Sequence, residues 1–178
     1  RLSGQIALSN AVIVVMLIVV AVAIGLVNLK AGQSSQEAVE YASVVTQDVP
    51  ALLNDIGDAR YNVVQVQQYL SDISATRAQD GLDDGFSGAE KAGKALTRDL
   101  QHAKEIASRL GATRIVDALA QVEAAFPEYY AQGKKMAQAY IDGGPQQGNK
   151  LMDGFDQSAE KMSGALEGLV REVQAFTG

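Results

Sequence analysis

From Ala38 onward the apolar residues step by four and three: Ala42, Val45, Val49, Leu52, Ile56, Ala59, Val63, Val66, Leu70 and Ile73. That is the spacing of a helix that buries one stripe against its neighbours, and it predicts one long helix over about residues 35–77. Pro50 falls inside the pattern without shifting its phase. Lacking an amide proton, it predicts a kink or a helix restart. RAQDGLDDG, Arg77 to Gly85, is a turn by its Gly and Asp content. The same rhythm then returns. A second helix, about 86–110, runs through Phe86, Ala89, Gly93, Leu96, Leu100, Ala103, Ala107 and Leu110, and Gly111 stops it. A third, about 112–141, carries Ile115, Leu119, Val122, Phe126, Tyr129, Met136 and Tyr140, with a bend expected at Pro127. DGGP, Asp142 to Pro145, ends it. A fourth, about 146–177, shows Leu151, Phe155, Ala159, Met162, Leu166, Leu169, Val173 and Phe176.

No segment alternates with period two, so the expected fold class is all-α. Short connections force sequential helices to run antiparallel, which predicts an up-down-up-down four-helix bundle. The 77–86 and 141–151 turns then share one end and Gly111 lies at the other. DGFSGAEK, Asp84 to Lys91, echoes DGFDQSAEK, Asp153 to Lys161. Both are expected where a helix leaves the shared end.

The first thirty residues have a different character. AVIVVMLIVVAVAIGLV, Ala11 to Val27, has no polar side chain, within a wider run from Ile6 to Leu29. Roughly 20 apolar residues span a bilayer core, so residues 1–30 are expected to be a transmembrane helix with short flanks. A cleaved leader would have a shorter apolar centre, and no small-x-small cleavage site follows Lys30. Arg1 and Lys30 flank the run symmetrically and set no orientation. Residues 31–178 are then a separate helical domain.

Charge and composition narrow the function by exclusion. A net charge of −6 opposes nucleic-acid binding, which needs a basic face. Cysteine is absent and histidine occurs once, so thiolate chemistry, a multi-histidine zinc site and a c-type haem attachment cannot be assembled. The phase of the second helix puts His102 outward, as a solvated side chain. No Glu-x-x-His pair exists for a di-iron site. The Gly-rich pieces follow no strand, and Asp80, Asp83 and Asp84 do not match a calcium loop. Neither an enzyme nor a metal or cofactor is expected.

Polar binding remains, and RYNVVQVQQYLSDISATR, residues 60–77, is where it would sit. With Val63, Val66, Leu70 and Ile73 facing inward, the flanking columns are Arg60–Gln67–Ser74 and Asn62–Tyr69–Thr76. Arg77 occupies the next inward position, where an apolar residue belongs, and a guanidinium there could grip a carboxylate. Tyr61, Val64, Gln68 and Ala75 form a second face that a twin subunit could cover. Candidate ligand-binding residues are therefore Arg60, Asn62, Gln67, Gln68, Tyr69 and Arg77.

YNVVQVQQYLSDISATR, the GLDDGF turn and AYIDGGPQQGNKLMDGFD resemble the sensory half of bacterial methyl-accepting chemotaxis proteins, from about Gln5 to Gly178. The resemblance implies a periplasmic ligand-binding domain on the inner membrane, a homodimer packed through its first helices, and small ligands bound near the membrane-distal end. Ligand would shift the fourth helix along the membrane normal, and a second membrane helix would carry the shift inward. In amino-acid-sensing members, arginines on the first helix hold the ligand carboxylate. Arg60 and Arg77 fall in a similar region without matching that motif residue by residue. No second apolar span or methylation region follows Thr177, so a receptor fragment or truncated relative is expected. Histidine-kinase sensors share this architecture, and a membrane-anchored structural or filament subunit with no small-molecule ligand is the alternative.

Overall fold

The computed structural model describes Ser35, Val39 and residues 42–177. The expected membrane helix lies outside these residues, and no helix among the described residues is long and apolar enough to cross a membrane. The chain divides into two units, Arg1–Thr46 and Gln47–Gly178. In the first, the described residues are helical, and the Thr46 hydroxyl donates to the Ala42 carbonyl at 2.6 Å.

The second unit is helical in α1 (Val49–Thr76), α2 (Gly85–Arg109), α3 (Thr113–Gly143) and α4 (Pro145–Thr177), with no strand among the described residues. A π-helical turn, Val44–Asp48, stands directly before α1. Pro50 occupies the first turn of α1, where a missing amide proton leaves no intrahelical bond unmade. The helix does not restart at this proline: the π-helical turn runs directly into α1 through Asp48, itself in the right-handed helical region. At Pro127, too, α3 runs through unbroken.

The turns are fixed by backbone chemistry. Arg77 ends α1 in the left-handed region at φ 53°, its amide donating to the Ile73 carbonyl. Gly111 takes φ 66° between α2 and α3. Gly144 takes φ 62° and ψ −158°, a region that only glycine enters freely, and Pro145 then opens α4.

Every inward position predicted on α1 from Leu52 to Ile73 is buried: Leu52, Ile56, Ala59, Val63, Val66, Leu70 and Ile73. The pattern is less faithful on α4. Phe155, Met162, Leu169 and Val173 are buried, but Leu151 and Phe176 are exposed. The sequence echo also separates. Gly85 is the first residue of α2, whereas Asp153 lies two turns inside α4, which already begins at Pro145. Gly85 is buried where a Cβ would meet Ile73 at 2.5 Å, while Gly154 is exposed.

α1 packs along α2, and α3 along α4; α3 also touches α1 and α2, whereas α1 and α4 hardly meet. At Gly133 on α3 three helices come together. A Cβ there would meet Leu70 of α1 at 2.6 Å and Phe155 of α4 at 2.8 Å. One turn away, Tyr129 stacks on Phe155 with centroids 5.5 Å apart, and its buried hydroxyl donates to the Val63 carbonyl at 3.1 Å. Burial pushes that phenol well above the ordinary tyrosine range.

Candidate functional site

Weak packing between α1 and α4 leaves a groove of about 740 Å³ along the middle of both helices. Its α1 wall is Gly57, Arg60, Tyr61 and Val64; its α4 wall is Ser163, Leu166, Glu167, Val170 and Arg171. The residue types follow from the helical phase. Val63 and Val66 face the core, so Arg60, Tyr61 and Val64 stand on the opposite flank, where Tyr61 and Val64 are 62% and 58% exposed. Gly57 adds width, since a Cβ there would find nothing within 4 Å.

One arginine stands on each wall. Arg60 takes part in no ion pair among the described residues. Arg171 has only a distant partner in Glu167, at 3.9 Å on the same helix. An exposed pair at that distance contributes little, so both guanidiniums keep donors for an anion. The floor between them is apolar: Tyr61, Val64, Leu166 and Val170. Chemically, this is a trough that would take a flat or branched apolar body with a carboxylate at its edge.

Of the six candidate ligand-binding residues, Arg60 alone lines this groove. Gln67 and Gln68 are exposed, and Gln68 accepts a hydrogen bond from Gln65 at 3.2 Å. Asn62 and Tyr69 turn instead toward α2. The Asn62 amide donates to the Asp99 carboxylate at 2.9 Å, and the Tyr69 ring lies over Gly88, where a Cβ would meet it at 2.5 Å. Arg77 reaches across to α3: its Nε donates to the Tyr140 carbonyl at 3.1 Å and its Nη2 to that of Ile141 at 3.3 Å. Seventeen helical residues place Arg60 and Arg77 roughly 25 Å apart along α1. The arrangement does not bring them to one small ligand.

The α1–α2 seam carries a polar column that the sequence reading did not single out. Asp48, Asp55, Asn62 and Tyr69 recur at every seventh residue of the chain. Opposite them run Arg109, His102, Asp99 and Gly88. Asp48 pairs with Arg109 at 3.1 Å and Asp55 with His102 at 2.7 Å. Asp99 is buried, and Arg98 gives it two N–H donors at 2.8 and 3.0 Å. His102 is thus not a merely solvated side chain: half of it is exposed, but its Nδ1 meets the Asp55 carboxylate. The heptad spacing of the acids was the available signal. The α4 wall of the groove had none, because local periodicity does not reveal which pair of helices stays apart.

No family model, curated protein or solved structure matches this chain.

Proposed function

We propose that this chain is the sensory region of a transmembrane chemoreceptor, which binds a small organic acid in the α1–α4 groove and signals by helix displacement. The carrying observation is the groove itself, with Arg60 and Arg171 on opposite walls of an apolar floor. A carboxylate held by both guanidiniums would draw α4 toward α1, two helices that hardly touch without it. Differential affinity for the drawn and undrawn arrangements is all that a population shift requires. In this reading the helices form an up-down-up-down bundle in the periplasm, rooted in the inner membrane by residues 1–30. The exposed face of α1 packs on a second copy, which closes the groove.

A thermal-shift screen of organic acids and amino acids against the full chain in detergent tests this. At a hundredfold excess over Kd, a ligand adds about 2.7 kcal/mol of stability. An acid that raises the melting temperature of the wild type but not of Arg60→Ala or Arg171→Ala supports the groove. Equal stabilisation of both variants sinks the site, and a screen without any stabilising acid sinks the ligand reading.

One observation favours a second reading, that of a helical assembly subunit without a small ligand. Leu53, Tyr61 and Val64 form an exposed apolar stripe on α1, and a Cβ on Gly57 between them would meet nothing within 4 Å among the described residues. Assembly beyond a dimer, measured by light scattering, would favour this alternative.

A further inference from the structure

Oδ2 of Asp55 is buried and lacks hydrogen-bond geometry to any partner, yet His102 Nδ1 lies only 2.7 Å from it. A half-buried carboxylate in that position gains most from a positive charge next to it. Burial raises its pKa, and Asp99 and Asp58 push it the same way, while the His102 ring pulls it down. The other cations of the seam are engaged elsewhere: Arg98 holds Asp99, and Arg109 holds Asp48. Lys104 of α2 is engaged as well, with Glu123 of α3 at 3.0 Å. Among the described residues the imidazole is thus the group placed to supply or withdraw the counter-charge.

We propose that Asp55 and His102 form a proton-binding site across the α1–α2 seam, which clamps the two helices in mild acid and loosens them in mild alkali. With the ring protonated, an ion pair joins the helices where one side chain is 18% and the other 55% exposed. With the ring neutral, the Asp55 carboxylate keeps its charge without a cation beside it, and hydration favours its withdrawal from the seam. Ambient pH becomes a second input to α1, independent of any ligand in the groove.

A double-mutant cycle on the full chain in detergent decides the matter. Melting temperatures of the wild type, Asp55→Asn, His102→Gln and the double variant are compared at pH 6 and pH 8.5. The expected result is non-additivity of about 3 °C at pH 6 that vanishes at pH 8.5. Additivity at both values, or the same non-additivity at both, overturns the clamp. The chain has a single histidine, so its imidazole NMR signal gives a second measure. A titration curve that Asp55→Asn leaves unchanged overturns the site even if a variant folds poorly.

Discussion

Arg77 ends α1 with its backbone and holds the end of α3 with its side chain: its amide donates to the Ile73 carbonyl and its guanidinium to the carbonyls of Tyr140 and Ile141. The Tyr140 carbonyl also accepts from the Gly144 amide at 2.9 Å, so Arg77 adds a second donor there, and a cation at this end of a helix answers its dipole. One residue therefore ties the α1–α2 turn to the α3–α4 turn, next to Gly144.

Arg77→Ala is expected to lower stability by about 1 kcal/mol, the ordinary worth of partly exposed hydrogen bonds of this kind. Urea denaturation measures it. Arg77→Lys keeps the charge but loses the fork that reaches two carbonyls, so it should recover only part of the loss. Ligand-induced stabilisation should survive in Arg77→Ala and fail in Arg60→Ala, given the span of α1 between them. Loss in both variants would return Arg77 to the ligand site.

Tyr129→Phe isolates one interhelical hydrogen bond. The hydroxyl is buried and reaches from α3 to the Val63 carbonyl of α1. That carbonyl keeps its own helical bond, so no acceptor is orphaned, and the expected loss is about 1 kcal/mol. Stacking on Phe155 is untouched by the change. A loss above about 3 kcal/mol would mean that the phenol supports more than this bond.

How much was legible follows from which forces are local. The inward stripe of α1 and the stops at Gly111 and DGGP depend on residues within a turn or two, and both are present. The groove depends on α1 and α4 failing to pack, a property of two distant segments that no local period records. His102 shows an intermediate case. Its phase put it outward on α2 as a solvated side chain, but it is only half exposed and meets Asp55 on another helix. The heptad recurrence of Asp48, Asp55 and Asn62 held that information in a pattern of polar positions rather than apolar ones. Asn62 and Tyr69 were marked as candidates for their polarity, and that polarity serves the seam with α2.

Two glycines should respond in opposite directions to alanine. At Gly133 a methyl group would collide with Leu70 and Phe155, in a core with no room to yield. Overpacking of this sort costs about 1–3 kcal/mol. At Gly57 the methyl group meets nothing, and better helix propensity should add roughly 0.5–1 kcal/mol to a lone chain. If the α1 face packs closely on a second copy, Gly57→Leu should weaken the dimer while leaving the monomer intact. Sedimentation at several concentrations reads that outcome, and an unchanged dimer would place the subunit contact elsewhere.

The acid side of the pH profile depends on Asp55 itself. Its carboxyl is raised above the ordinary 3.8, first by burial, with His102 opposing and Asp99 and Asp58 adding to the rise. A raised folded pKa means that the folded chain holds this proton more tightly than the unfolded one. The group's contribution is therefore fully present below the unfolded value, near 3.8, and is lost as pH rises through the folded one. Asp55→Asn removes that titration. Its stability should fall less steeply than that of the wild type from about pH 4 upward, as read by urea midpoints at half-unit steps. Parallel curves for the two proteins would show that Asp55 has the same proton affinity in the folded and unfolded chains, and that the seam does not hold it in a desolvated position.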